Sequence, residues 1–301
     1  MYDVVIVGGS AAGLSAALVL GRSRRSVLVC DTNQPRNGFS PTSHSVYTRD
    51  GTPTTDLVAI GRAQLDPYAV AFRSLAVIQA QLADQRAFLI TLANGEQVRS
   101  RRVLLATGVR DILPALVGIE QFWGTSVVHC PYCHGWEVRD QPIAVLSVGA
   151  TAVNFTSLLR HWSRDLVLCT NGFGQLTPSE RDRITSLDVQ IYEQPIAQLE
   201  GRQAQLESIL FADRTRLERQ ALFIHADQEP QSRLAQELGC RIAEGGIISV
   251  DGQGQTSVVG IYAAGDITRQ NQQIIFAAAD GARAAMAINQ SLVDEEFKKA
   301  F

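Results

Sequence analysis

A surplus of positive charge is missing from this 301-residue chain: 27 Lys and Arg stand against 30 Asp and Glu, a formal net charge of -3. Without a cationic excess the chain has little with which to hold a phosphate polymer or an anionic membrane surface, so neither nucleic-acid nor membrane binding is expected. Cysteine is scarce as well, and five in 301 residues do not form a disulfide framework. No apolar run reaches the roughly eighteen residues that a membrane-spanning helix needs. The opening Met1-Tyr2-Asp3 carries an acid where an export signal carries cations, so a cytoplasmic location is expected. Low-complexity tracts and charge blocks are also lacking. What is present is a 46% hydrophobic content, enough to bury a real core. The length suits two ordinary domains or one large α/β unit.

Asp3 to Asp31 reads as strand, glycine turn, helix, strand. Val4-Val5-Ile6-Val7 is a continuous apolar run, as a parallel strand buried on both faces requires. Shifted by 139 positions the segment meets a second copy: Ile143-Ala144-Val145-Leu146 for the strand, Ser147 to Ala152 for the turn, Leu166-Val167-Leu168 for the next strand. Two βαβ units predict two Rossmann-like domains of α/β class rather than one extended sheet. Phe88 to Val98 around Asn94-Gly95 reads as a hairpin, Arg102 to Gly108 as a separate buried strand, and Gln273 to Gln290 as a late helix. Linkers fall near Leu113-Pro114 and Ala243 to Gly246. The second unit is then an insertion, 114–242, in a domain built from 1–113 and 243–301.

Two motifs carry chemistry. In Gly8-Gly9-Ser10-Ala11-Ala12-Gly13, Gly8 permits the tight turn and small Ser10 lets a pyrophosphate approach the backbone. Gly13 lets helix and strand pack closely where free N–H groups favour anions. Asp31 stands where it can accept hydrogen bonds from a ribose hydroxyl. The second motif is Cys130-Pro131-Tyr132-Cys133-His134. Cysteines two residues apart close a short disulfide, and in a reducing compartment such a pair points to catalysis or metal binding. His129 and His134 flank the pair and can lower a thiol pKa or shuttle a proton.

Four other readings of the pair compete with that one. A structural zinc site lacks the usual second pair of ligands, so no metal is expected. Covalent haem attachment normally follows export. A glutaredoxin-like motif needs a long helix after the second Cys, which Gly135 and Pro142 oppose. Two inert buried thiols is the plainest option, and that is how Cys30, Cys169 and Cys240 are read. His44, His161 and His225 read as structural or solvated, and Arg22, Arg24 and Arg25 as a solvated helix end.

A dinucleotide fold interrupted by a second one carrying Cys-x-x-Cys resembles the low-molecular-weight thioredoxin reductase family of flavoproteins. The resemblance covers nearly the whole chain in order: Gly8 to Gly13, Ala106-Thr107-Gly108, Cys130 to Cys133, and Gly260 to Asp266. It implies FAD in the outer domain, with Gly8 to Gly13 at the pyrophosphate and Asp31 at the adenosine ribose. It further implies Thr107 and Gly108 in the cofactor site, Gly265 and Asp266 at a flavin-side hydroxyl, and the helix start near Gln273 facing the flavin pyrimidine. By the same resemblance Cys133 sits against the flavin, Cys130 exchanges with a thioredoxin-type disulfide, and the chain forms a homodimer. The family usually has an acid after the second Cys; here His134 takes that place and the acid/base role. The Cys-x-x-Cys-His-Gly-Trp-Glu spelling is also similar to dithiol oxidases, which leaves the direction of electron flow open.

The inserted unit departs from that family where NADPH would bind. Ser147 replaces the leading glycine of the turn, and Cys169-Thr170-Asn171-Gly172 offers neither an acid nor an arginine at the end of the second strand. Phe223 to Ala226 lacks the glycine expected after that strand. Weak NADPH binding is therefore expected; the family resemblance then implies ferredoxin as the electron donor, with an ordinary NADPH-dependent thioredoxin reductase as the alternative. The tail from Glu295 to Phe301 places Phe297 and Phe301 among charges, as a frayed end or as aromatics that stack on the flavin.

Overall fold

The structure is a computed structural model and describes residues 1–84, 87–172 and 176–300, leaving aside the side chains of 299 and 300. Phe301 lies outside the described residues. The chain divides into two compact units. The first comprises Met1–Gly38, Val46–Asp111 and the chain from Gln228 onward; the second comprises Phe39–Ser45 and Ile112–Asp227.

In the first unit the chain runs through β1 (Tyr2–Val7), α1 (Ala11–Arg22), β2 (Val27–Cys30), α2 (Thr54–Ala63), β3 (Val70–Arg73), β4 (Val77–Asp84), β5 (Ala87–Leu92), β6 (Gln97–Leu105) and β7 (Val109–Ile112). The second unit holds β8 (Val127–Val128), α3 (Pro131–His134), β9 (Ile143–Leu146), α4 (Gly149–Leu159), β10 (Leu166–Cys169), α5 (Pro178–Thr185) and β11 (Gln190–Tyr192). After these come β12 (Ile196–Arg202), β13 (Gln205–Phe211), β14 (Arg216–Glu218) and β15 (Ala221–Ile224). The chain returns through β16 (Asp227–Pro230) and completes the first unit with β17 (Ile261–Ala263) and α6 (Ile274–Ala300).

The first sheet has the order β3-β2-β1-β6-β5-β4, with β17 also on β6. Its β3-β2-β1-β6 half and the β17 pair are parallel, while β6-β5-β4 is an antiparallel meander. The second sheet, β8-β15-β9-β10-β11, pairs in parallel throughout, and β12-β13-β14 forms a separate antiparallel layer. The internal repeat is carried into the hydrogen bonding. Val4 pairs with Val27 in one unit and Ile143 with Leu166 in the other, so one offset of 139 relates both partners.

Three sequence expectations are corrected. The hairpin arm at Val98 and the strand from Arg102 are one continuous β6, whose early residues pair with β5 and later ones with β1. The polar Ser100-Arg101-Arg102 stretch reads as a break, yet its side chains are engaged: Ser100 Oγ donates to the Arg102 carbonyl at 2.6 Å, and Arg101 pairs with Asp3 at 2.9 Å. The chain re-enters the first unit at Gln228 rather than near Ala243. Leu234, Ala235 and Cys240 are buried with Val5, Leu28 and Ile261, and Gly245-Gly246, at φ +73° and +78°, is a turn inside that unit. Finally, α6 continues ten residues past Gln290 to Ala300. Its end is clamped: Arg25 pairs with Glu296 at 2.7 Å, Arg101 with Glu295 and Glu296, and Arg102 with Glu295 at 3.0 Å. Arg25 is thus a part-buried anchor and not a solvated helix end.

Helix α6 also crosses α1 at very short range. A Cβ built on Gly281 would lie 2.0 Å from the Ala12 carbonyl oxygen. Backbone cannot retreat as a side chain can, so the Gly281→Ala substitution must part the two helices, at about 1–3 kcal/mol. A thermal midpoint several degrees lower is expected, read by circular dichroism of the holoprotein; an unchanged midpoint would show that the helices separate without cost.

Candidate functional site

The glycine turn of the first unit is shaped by backbone-to-backbone approach. Gly8 has φ +108°, and a Cβ there would lie 2.2 Å from the Ala106 carbonyl oxygen. A Cβ on Gly13 would lie 1.8 Å from the Gly8 carbonyl oxygen. Gly9 faces Asp31, whose Cβ would be 2.9 Å from an added one. Ser10 caps α1 with extended backbone and no side-chain cap bond, and Ala11 and Ala12 form the helix's first turn. The hydroxyl of Thr107, in the loop after β6, is buried without a hydrogen-bond partner, and Gly108 follows at φ +67°. Gly265, at φ +83°, approaches Ala12, with an added Cβ 3.0 Å from the Ala12 Cβ. The Gln273 carbonyl accepts from Ala277 N at 2.9 Å and so caps the start of α6. A cavity of about 230 Å³ opens beside these helix ends, lined among others by Ser10, Ala11, Asn37, Thr54 and Ile274.

Two acids near this turn are held by arginines. Asp31 Oδ2 accepts from Arg62 Nη2 at 2.6 Å. Asp266 accepts from Arg36 at 3.1 Å, while Arg36 binds Asp111 through both arms at 2.8 and 2.5 Å and also donates to Gln272. Burial raises the Asp266 pKa above the usual carboxylate range despite the opposing Arg36 charge. Burial works against charge on Arg36, but its bonds to Asp111 and Asp266 outweigh it and raise the pKa further. Neither arginine is singled out by sequence reasoning, because each acts on an acid distant in the chain and no motif marks it.

The sequence profile of the pyridine nucleotide-disulphide oxidoreductase family matches residues 2–282. The chain belongs to this family. It is an FAD-dependent oxidoreductase of thioredoxin reductase type. Among relatives, it is 28% identical to thioredoxin reductase aclD of Aspergillus oryzae over 99% of both chains. Among solved structures it is similar to HlmI, at 36% identity and TM-score 0.95 over 99% of this chain and 95% of that one. It is also similar to TrxB of Bacillus anthracis, a thioredoxin reductase candidate, at 32% identity and TM-score 0.94 over 98% and 100%.

The residues present fit FAD. A turn that no Cβ can enter, an orphaned hydroxyl on Thr107 and two helix N-termini suit a pyrophosphate and its neighbouring hydroxyls. When bound there, FAD supplies two-electron chemistry. The chain's part is to hold it.

In the second unit Cys130 and Cys133 form a disulfide, with α3 as a single turn between them and Gly135 to Asp140 as turns after it. The side chains of Tyr132 and Trp136 are exposed, and Arg139 stacks over Trp136 at 3.9 Å. His129 stacks on Trp123 at 5.6 Å. His134 is half-buried: Nε2 lies 3.2 Å from Ser40 Oγ, and the ring also interacts with the Cys130 backbone. Burial lowers its pKa below the ordinary value, opposed by the Cys130 backbone and the Glu137 carboxylate, with His44 adding to the lowering. The three remaining cysteines are buried. Burial pushes the Cys30 and Cys169 thiols up to about 12 and raises Cys240 as well, so they stay protonated and inert.

The second turn differs from the first in shape. Ser147, at the place of Gly8, does not take a positive φ; Gly149 does, at +57°, with open space where a Cβ would sit. Thr170 repeats the backbone bond of Asp31: its N–H donates to Tyr192 O at 2.9 Å as Asp31 N–H donates to Arg73 O at 3.0 Å. Its side chain has no charge, and Arg181 is paired with Glu193 at 2.6 Å. Among the described residues no group of three or more His, Cys, Asp or Glu is placed to hold a metal ion, and no helix is long and apolar enough to cross a membrane.

Gly8→Ala must displace the Ala106 carbonyl and strain the backbone at positive φ. Purified Gly8→Ala protein is expected to carry less than about a tenth of the wild-type flavin, a drop of ~1.4 kcal/mol or more in retention. Absorbance near the flavin band per folded chain reads this, and full flavin content would rule out the turn as the cradle.

Proposed function

We propose that the chain is a flavin-dependent disulfide oxidoreductase that exchanges electrons through Cys130 and Cys133 with a thioredoxin-type protein disulfide. In this reading NADPH is not an efficient donor and ferredoxin takes its place. The second unit, Phe39–Ser45 with Ile112–Asp227, is read as a degenerate nicotinamide domain, and the chain is read as a cytoplasmic homodimer. The observation that carries the proposal is the pairing of a closed Cys130–Cys133 disulfide with an inserted nucleotide turn that differs in shape from the first and is followed by uncharged Thr170 where the first has Asp31. One missing bidentate phosphate contact costs about 1.5–3 kcal/mol, one to two decades of affinity. Thr170 where an acid is needed and Arg181 already bound to Glu193 compound the loss.

The residues divide the work as follows. Cys130 attacks the partner disulfide, Cys133 resolves the mixed disulfide on the flavin side, and His134 carries the proton. A half-buried imidazole whose pKa lies below the ordinary value is neutral at pH 7 and available as a base. Ser10, Ala11, Thr107, Gly108, Gly265 and Gln273 line the cofactor, with Asp31 and Asp266 toward its hydroxyls.

A second reading has one specific observation in its favour. A half-buried imidazole directly after Cys133, its pKa lowered chiefly by desolvation, suits accepting protons from an incoming dithiol. The enzyme would then oxidise a small dithiol and pass electrons to oxygen.

Anaerobic stopped-flow mixing separates the donors. Flavin bleaching is expected with reduced ferredoxin and not within milliseconds at micromolar NADPH; fast bleaching by NADPH overturns the donor assignment. Peroxide release in air with a small dithiol, and no reduction of any disulfide, selects the oxidase. The Cys133→Ser variant is expected to lose turnover in either direction by at least about a hundredfold while keeping bound FAD.

A further inference from the structure

Gly135, two residues after Cys133, has backbone angles that any residue adopts, φ −65° and ψ −32°. What it lacks is room. A Cβ there would lie 2.5 Å from the Pro131 carbonyl oxygen and 2.8 Å from both Cδ1 and Cε2 of Trp162. Those two carbons flank the indole nitrogen, which would be the nearest ring atom in an approach along that edge. It is no nearer than either carbon, so the indole turns its face to the glycine. The same ring meets Tyr132 edge-to-face, with 5.7 Å between centroids and 87° between planes. Trp162 therefore touches the redox motif twice: at Tyr132, between the two cysteines, and at Gly135, just beyond the second.

The indole can act as a stop because its own position is fixed. Trp162 N–H donates to the Leu159 carbonyl at the end of α4 at 2.9 Å, and the Trp162 carbonyl accepts from Asp140 N–H at 2.8 Å. Beside it the buried Ser163 hydroxyl donates to the Gln141 carbonyl at 2.6 Å. The ring packs against the buried cluster that includes Val128, Val138 and Ile143. Backbone bonds pass the contact on to the cysteines: Cys133 N–H and His134 N–H both donate to the Cys130 carbonyl at 3.2 Å, and Gly135 N–H donates to that of Pro131 at 2.7 Å.

We propose that Trp162 is a positioning residue for the redox pair: it keeps the turn carrying Cys130 and Cys133 in one shape whether or not the sulfurs are bonded, and so sets how readily the dithiol closes. The inference rests on the reading of Cys130 and Cys133 as the exchanging pair. In the reductive direction the Cys130 sulfur bonds to one sulfur of the substrate disulfide. The substrate S–S bond breaks, and the other sulfur leaves with the proton that Cys130 gave up. Cys133 then bonds to Cys130 and releases the second substrate sulfur, which takes the Cys133 proton. The substrate gains two electrons and two protons, and the protein pair loses both. Closure depends on the concentration of one thiol as met by the other, which a fixed turn keeps high. A turn free to relax lets the reduced sulfurs part. Closure then slows, and the couple holds its electrons at a higher potential.

The test is a redox titration of the holoenzyme in glutathione buffers, with free thiols trapped by alkylation and counted by mass on the peptide that holds Cys130 and Cys133. Trp162→Leu removes the flat ring and keeps an apolar side chain. It is expected to lower the equilibrium constant for closure about threefold to tenfold, a rise of about 15–30 mV in potential, at normal flavin content. Trp162→Phe, which keeps an aromatic face, recovers most of the shift. Tyr132→Leu, at an exposed position, removes only the edge-to-face contact and moves the constant about twofold to threefold in the same direction. A potential that is unchanged or lower in flavin-replete Trp162→Leu overturns the proposal; should that variant not fold, the same result in Tyr132→Leu does so. If the potentials rise as expected while the wild-type enzyme exchanges with no protein disulfide or small dithiol, the positioning role stands and the functional reading beneath it falls.

Discussion

The first unit depends on backbone atoms being allowed to touch. Ala12 is the meeting point: Gly281 of α6 closes on its carbonyl oxygen and Gly265 on its side chain, while one residue later Gly13 sits against Gly8. A methyl group on Gly281 or Gly13 would overlap main-chain oxygens that cannot rotate away, and one on Gly265 would crowd the Ala12 side chain. The outcome is a helix start, a strand end and a second helix start gathered around one small volume. Free N–H groups of two helices then face one volume, where an anionic group would meet more donors than either helix offers alone.

Charge follows the same economy. The chain has no cationic surplus, and its arginines near the sites are spent on internal acids: Arg62 on Asp31, Arg36 on Asp111 and Asp266, Arg101 and Arg102 on the end of α6. Arg36 is the most constrained of these. It is largely buried and shared by two carboxylates, and removing any member would leave a buried charge without its counterpart. Thiols are sorted by environment in a comparable way. Burial keeps Cys30 and Cys169 protonated, whereas Cys130 and Cys133 close on each other at a short turn flanked by exposed aromatics.

The sequence discloses whatever is local or repeated. Buried parallel strands declare themselves as apolar runs, the 139-residue repeat reappears as strand register, and Cys130 and Cys133 are neighbours in any conformation four residues long. Features made by distant partners are silent. Arg62 and Arg36 cannot be read because nothing near them in the chain names Asp31 or Asp266. Strand β6 is misread as two because Ser100 to Arg102 is polar, and only its distant partners Asp3 and Glu295 explain why charge is tolerated there. The Gly245-Gly246 turn is mistaken for a linker since a turn and a linker share composition; what separates them is whether the preceding residues, here Leu234 and Cys240, join a core. His44 reads as an isolated histidine until Glu137 is seen beside it.

The second unit is not contiguous in the polypeptide, because Phe39–Ser45 belongs to it. A span cut from 112 to 227 would carry Cys130, Cys133 and His134 but leave behind Ser40, whose hydroxyl stands 3.2 Å from the His134 ring.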